Sequence, residues 1–179
     1  MSRYRKLFDL VCEKQPKHVV EIGTWNGKRA MEFMGATNCI YTGFDLFEDA
    51  TKDTDSEELN VKRHFELTEV SKHIEMAGFD NFQLIRGNTR ETLPQWIEKI
   101  PPFDFAFIDG GHSIETIESD LKYIKSNIDK GGTIVLDDYY TPELKGFGCN
   151  QVVKDLEHEV IECSDRGPNT RISLVVINV

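Results

Sequence analysis

The stretch VVEIGTWNGKRAMEF, residues 19–33, is an apolar run that closes on Glu21, a Gly-x-x-x-Gly turn from Gly23 to Gly27, and a segment with the composition of a helix. A turn of this kind receives a nucleotide-type ligand at the edge of a parallel sheet. Its spacing is not that of the common phosphate cradles. A dinucleotide fingerprint needs glycine where this chain has Trp25 and Lys28, and the phosphate-binding P-loop pattern is missing. Neither NAD nor ATP is favoured.

Working outward, the strand half of that pattern recurs. HVVEIG (18–23), IYTGFDLF (40–47), FQLIRG (82–87), FDFAFIDG (103–110) and GGTIVLDD (131–138) are short β-branched or aromatic runs, each carrying Gly or Asp at its close. The segments between them can hold helices. Tyr4, Leu7, Phe8 and Val11 predict an opening helix over 3–14, before Pro16. Leu67, Val70, Ile74 and Ala77 mark a second helical face, and Ile114, Ile117, Leu121, Ile124 and Ile128 a clearer one with Ser113 as N-cap. Another helix is expected near Asn150. Alternating strands and helices predict a doubly wound α/β fold, with a mostly parallel sheet covered on both sides.

The C-terminus breaks the rhythm. EVIECSDRGPNTRISLVVINV (159–179) has room for two strands around a Gly-Pro-Asn turn and none for a helix, which predicts an antiparallel edge hairpin and a seven-stranded sheet in one domain, 1–179. Residues 48–63 are polar and read as a solvated loop, with a mobile lid as the alternative. No internal repeat is visible.

Composition narrows the function. With 21 Lys and Arg against 31 Asp and Glu, the formal charge is -10, which repels a phosphate backbone or an anionic membrane. The expected partner is a small molecule, with no nucleic acid and no membrane. Cys12, Cys39, Cys149 and Cys163 are far apart, so they read as reduced packing thiols rather than a zinc or redox motif. No run approaches membrane-spanning length, and the expected location is cytoplasmic.

Ligands of open α/β sheets collect at the carboxyl ends of the strands. The first run closes with Glu21, Gly23, Thr24 and Gly27. Asp45 closes the second, 22 positions after Gly23, a distance at which an acidic side chain can accept hydrogen bonds from a ribose diol. With these residues in view, the sequence resembles the class I S-adenosylmethionine-dependent methyltransferases, from VVEIGTWNG through YTGFDLF, FQLIRGNTRETL and FDFAFIDGGHS to GGTIVLDDYY and the final hairpin. The resemblance implies a Rossmann-like fold with S-adenosylmethionine as cofactor. It makes Glu21, Gly23 and Gly27 the wall around the methionine part, Asp45 the ribose partner, Gly87 and Asn88 neighbours of the adenine, and Asp109 a residue at the end of the fourth strand; Thr24 and Asp109 join these as cofactor-binding candidates.

Asp109, Asp137 and Asp138 add carboxylates that cofactor binding does not require. Oxygen donors suit magnesium or another hard divalent cation, which makes a nearby hydroxyl easier to deprotonate. Successive strand residues face opposite ways, so Asp137 and Asp138 can share an ion only where the chain turns off the strand, and DDYYTP reads as such a turn. The spacing is similar to that of metal-dependent O-methyltransferases of the catechol and macrocin types. His112, three residues after Asp109, is a candidate base, with Asp109 the other; catechol-type enzymes carry lysine at the matching position. His18, His64, His73 and His158 have no carboxylates placed near them by sequence and read as surface or packing residues. Tyr139, Tyr140, Phe147 and Asn150 are candidates for an acceptor pocket or for cover on the sheet edge. Relative to catechol-type enzymes the chain has little N-terminal helical extension, so the pocket is expected to be open or completed by another subunit, as in a homodimer.

The expected function is transfer of a methyl group from S-adenosylmethionine to a hydroxyl of a small molecule or sugar, assisted by a divalent cation. The alternatives are a metal-independent N- or C-methyltransferase and a non-catalytic S-adenosylmethionine-binding module.

Overall fold

The computed structural model describes residues 1–60, 62–167 and 169–179. Its centre is an eight-stranded sheet. The five parallel strands are β1 (His18–Ile22), β2 (Ile40–Asp45), β3 (Phe82–Arg86), β4 (Phe105–Ile108) and β5 (Thr133–Thr141). The order β3-β2-β1-β4-β5, continued by β8 (Thr170–Asn178) and β6 (Glu159–Ile161), puts the reversal of winding between β1 and β4, the place where a doubly wound sheet opens a crevice. In register, Val19 and Glu21 lie beside Phe105 and Phe107.

The period-2 alternation divides the core. Val20, Ile22, Phe44, Ile108 and Leu136 face one way, toward α5 (Thr89–Trp96) and α6 (Ile114–Asn127), which contributes Ile117, Leu121 and Ile124. Val19, Tyr41, Phe105, Phe107 and Val135 face the other, with Leu7 and Val11 of α1 (Arg3–Lys14), Ala30, Phe33 and Met34 of α2 (Lys28–Thr37) and Val70 and Ile74 of α4 (Leu67–Met76). Ser113 caps α6 as expected, accepting from the Thr116 N–H. Ala77 departs from the expected face: α4 ends before it and its side chain is exposed.

The edge hairpin is subdivided. β8 (Thr170–Asn178) pairs antiparallel with β5 along its length and with β6 (Glu159–Ile161) on the other side, while the two-residue β7 (Arg166–Gly167) makes a separate pairing with β8. Residues 162–165 leave the sheet to meet the start of α1, where the Arg3 N–H donates to Asp165 Oδ2 at 2.7 Å and the Ser164 N–H donates to the Met1 carbonyl at 3.0 Å. The expected turn spans Gly167 to Asn169; its Pro168 lies outside the described residues.

The 48–63 segment is more ordered than a solvated loop. A 3-10 turn (Phe47–Asp49) leads to α3 (Lys52–Glu57), which starts with a reciprocal cap between Thr51 and Thr54. Val61 lies outside the described residues. α7 (Asn150–Val153) begins where a helix was expected. Among the described residues, no helix is long and apolar enough to cross a membrane.

Candidate functional site

The carboxyl ends of β1 to β4 open on a cavity of about 340 Å³, within the roughly 300–1,000 Å³ range of small-molecule pockets. Gly23, Thr24, Asp45, Gly87, Asn88, Asp109 and His112 all line it. Glu21, Gly27, Asp137 and Asp138 do not.

Gly23 has a positive φ of 92° and lies so close to β4 that a Cβ would stand 2.1 Å from the Asp109 carbonyl oxygen. Only glycine fits there. Asp45 ties the ends of β1 and β2 together: its Oδ2 accepts the Trp25 N–H at 2.7 Å and its Oδ1 the Phe47 N–H at 2.8 Å. Burial raises its pKa, against these two donors. A carboxylate oxygen has a second lone-pair direction, so both can still accept from a diol. Asn88 spends its side-chain oxygen on the Arg90 N–H as the N-cap of α5, which leaves its amide for a ligand.

Behind this wall Glu21 is fully buried and accepts from the Tyr41 hydroxyl, which also pairs with Thr24 Oγ1 at 3.2 Å. Burial holds the Glu21 carboxyl well above its ordinary pKa. Glu21 therefore supports Thr24 and the turn from beneath. Gly27 has a packing role, since a Cβ there would press on Val70 and Ile74 of α4 at 3.0–3.1 Å.

One ligand atom from each of Asp109, His112 and Asp138 lies within 4.8 Å of the others. One oxygen of Asp109, Oδ1, is buried without a hydrogen-bond partner among the described residues; Oδ2 accepts from the Tyr4 hydroxyl at 2.9 Å. His112 Nε2 stands 3.2 Å from Asp138 Oδ2. Two carboxylates and an imidazole suit a divalent cation. Asp137, expected in this set, takes no part in it. Strand β5 does not turn off at DDYYTP; it runs on to Thr141 and absorbs Asp137 and Asp138 in a bulge between Leu136 and Tyr139, with Asp138 at φ 61°. The bulge aims Asp138 at His112 and leaves Asp137 facing Arg3, whose Nε is 2.7 Å from Asp137 Oδ2. That pair is close but not aligned as a hydrogen bond. Burial, then the neighbouring Asp109 and Asp138 charges, raise the Asp137 pKa; burial also raises Asp138, with His112 opposing.

Several site residues were not evident from the sequence. Arg3 and Tyr4 read only as the start of an amphipathic helix, yet α1 feeds antiparallel into β1, so its first turn lies over the carboxyl ends of the strands. That topology was a usable signal. Glu58, just past α3, accepts from the Ser113 N–H at 2.7 Å, the Ser113 hydroxyl at 3.0 Å and the Thr116 hydroxyl at 2.6 Å, closing the polar segment over the cavity. Trp25, 40 % exposed at the rim, donates its indole N–H to the Arg63 carbonyl at 2.7 Å and stacks edge-on with Phe65. His64 does have a carboxylate: its Nε2 is 2.7 Å from Asp55 Oδ1, nine residues away in sequence, and both line the cavity. Tyr139, Tyr140, Phe147 and Asn150 lie outside it; Asn150 bonds both ways with the Tyr140 main chain and Tyr139 packs on the core.

Known proteins match this architecture. A viral protein described as uncharacterized, from Acanthamoeba polyphaga mimivirus, is 27 % identical over 183 residues, covering 93 % of this chain and 76 % of the relative. The crystal structure of an rRNA methylase from Streptococcus thermophilus superposes with a TM-score of 0.70 at 16 % identity, covering 99 % of this chain and 96 % of that one. The O-methyltransferase TomG from Streptomyces achromogenes, solved with S-adenosylmethionine, gives 0.66 at 13 % identity, over 97 % and 78 % of the two chains. These likenesses establish the shared fold. The family model for a methyltransferase domain matches residues 20–139, more than half of the chain and every strand end that lines the cavity, and the protein belongs to that methyltransferase family.

Proposed function

We propose that the protein transfers a methyl group from S-adenosylmethionine to a hydroxyl of a small molecule or sugar, with a divalent cation held by Asp109, His112 and Asp138. The observation that carries this reading is the Asp109 carboxylate, at the wall of the cavity, with one buried oxygen unpartnered and two further ligand atoms within 4.8 Å. A buried carboxylate oxygen without a donor is unfavourable unless a ligand satisfies it.

When bound, S-adenosylmethionine supplies an electrophilic methyl group, and the chain supplies position and electrostatics. Gly23 lets the main chain approach the methionine part, Asp45 accepts from the ribose diol, and Gly87 with the Asn88 amide flanks the adenine. Magnesium is the first candidate cation, and the imidazole widens the choice to manganese and other divalent metals. It would supply Lewis-acid assistance at the acceptor oxygen. The fold is shared with an rRNA methylase as well as an O-methyltransferase, so fold does not choose the acceptor. The formal charge of -10 supports a small molecule over RNA.

A second reading needs no metal. His112 Nε2, 3.2 Å from Asp138 Oδ2, is an imidazole oriented by a carboxylate, the arrangement of a general base.

Calorimetry with S-adenosylhomocysteine and NAD tests the cofactor: the first should bind and the second should not. Labelled S-adenosylmethionine offered with phenols, sugars and RNA, with and without EDTA, tests the rest. Label on a hydroxyl that disappears with EDTA supports the metal reading, EDTA-resistant label supports the His112 base, and label on RNA overturns the small-molecule acceptor.

A further inference from the structure

The first turn of α1 makes contacts that neither the glycine turn nor the strand-end motifs require. The Tyr4 hydroxyl donates to Asp109 Oδ2 at 2.9 Å, which leaves Oδ1 as the carboxylate oxygen without a partner. The Tyr4 ring is held by two guanidinium groups, Arg29 at 4.5 Å and Arg3 at 4.8 Å from its centroid. Arg3 in turn places Nε 2.7 Å from Asp137 Oδ2, and its main-chain N–H is anchored on Asp165 at 2.7 Å. Tyr4 and Arg3 therefore act on two acids that sequence alone assigned to the same ion, and act on them differently.

We propose that Tyr4 and Arg3 are positioning residues for the cation and acceptor site: Tyr4 fixes the Asp109 carboxylate with one oxygen free for the cluster, and Arg3 holds Asp137 out of it. The inference rests on the metal reading above. A carboxylate ligand that loses a hydrogen-bonding partner of this kind binds its metal about tenfold or more weakly. The Arg3 contact has the opposite sign, because Asp137 released from its guanidinium becomes a further acidic donor beside the cluster.

The test is Mn²⁺ binding to the full chain saturated with S-adenosylhomocysteine, read by electron paramagnetic resonance. Tyr4→Phe should weaken Mn²⁺ about tenfold, while S-adenosylhomocysteine affinity stays within about twofold and so reports an intact fold. Arg3→Gln should tighten Mn²⁺ binding, and Arg3→Lys, which keeps the charge, should restore the wild-type value. A merely structural role would move both variants in one direction together with their thermal unfolding. Tyr4→Phe binding Mn²⁺ as wild type does, or Arg3→Gln weakening it, overturns the inference and leaves the metal reading standing. A wild-type protein that binds no Mn²⁺ overturns both.

Discussion

Asp137 and Asp138 are neighbours in sequence and serve different partners: Asp137 Oδ2 lies 2.7 Å from Arg3 Nε, and Asp138 Oδ2 lies 3.2 Å from His112 Nε2. Substitution should separate them. Asp138→Asn should weaken Mn²⁺ binding more than tenfold, on the order of 1.4 kcal/mol or more. Asp137→Asn should keep Mn²⁺ affinity within about threefold but lower stability by roughly 3 kcal/mol, because it strands a mostly buried guanidinium. Metal titration and urea unfolding of the two variants check the difference.

Asp45 bridges the main chain of Trp25 and Phe47 and offers its remaining lone pairs to the cavity. Asp45→Ala should weaken S-adenosylhomocysteine binding by about tenfold or more, as expected when a charged acceptor facing a diol is lost. Calorimetry measures this, and unchanged affinity would move the ribose contact to another residue.

Glu58 fastens the segment after β2 to the start of α6 through three hydrogen bonds. Glu58→Ala should raise the population of the open segment, since charge-assisted bonds of this type contribute about 2 kcal/mol in total. Trypsin cutting at Lys52, Lys62 or Arg63 should become faster in the variant, and S-adenosylhomocysteine should dissociate sooner. Identical cleavage rates in both proteins would show that other contacts hold the segment.

Asp120 is fully buried on α6, neither carboxylate oxygen has an aligned hydrogen-bond partner among the described residues, and burial, opposed by the nearby Thr89 hydroxyl, raises its pKa to about 7. The folded state thus holds this proton more tightly than the unfolded chain. Its stabilising contribution is complete below about pH 4 and is lost as pH rises through about 7. Over that window the loss amounts to about 4 kcal/mol at most. Urea unfolding of wild type and Asp120→Asn should diverge with pH, the variant being the more stable at pH 8 and the advantage shrinking by pH 5. A difference that stays constant over that range would place the Asp120 pKa elsewhere.

The five parallel strands were legible because each hydrophobic run carries Gly or Asp at its close, and the closing residues of the first four runs line the cavity. The hairpin was legible only in outline. Nothing in ECSDR marks residues 162–165 as leaving the sheet; their reason to do so is the start of α1, distant in sequence. α3 was missed because its cap is Thr-x-x-Thr, which lacks the acidic third residue that flags a helix start.

At the candidate site, Asp45 and Asp109 were legible from their places at strand ends and His112 from the loop that follows β4; Asp138 was legible as an acid near them, although it lies within β5 and not at its end. The position of Asp137 was not, since a bulge shifts register by one residue without any mark in the sequence. Tyr4 was read for its ring, which does join the apolar stripe of α1, while its hydroxyl depends on a partner 105 residues away. His64 and Asp55 are joined by the return of the chain after α3, and no helical or strand period links two residues at that spacing.

The close approach of Gly23 to Asp109 has a mechanical meaning. With no side chain between them, the turn proposed to receive the methyl donor rests directly on the main chain that carries Asp109, and a methyl group at Gly23 would meet the Asp109 carbonyl oxygen at 2.1 Å. The protein therefore has a hard stop where many sites have a compressible layer of side chains. The spacing between the Gly23 turn and the Asp109 main chain is thus set by bare backbone, and any side chain added at Gly23 would force the two apart.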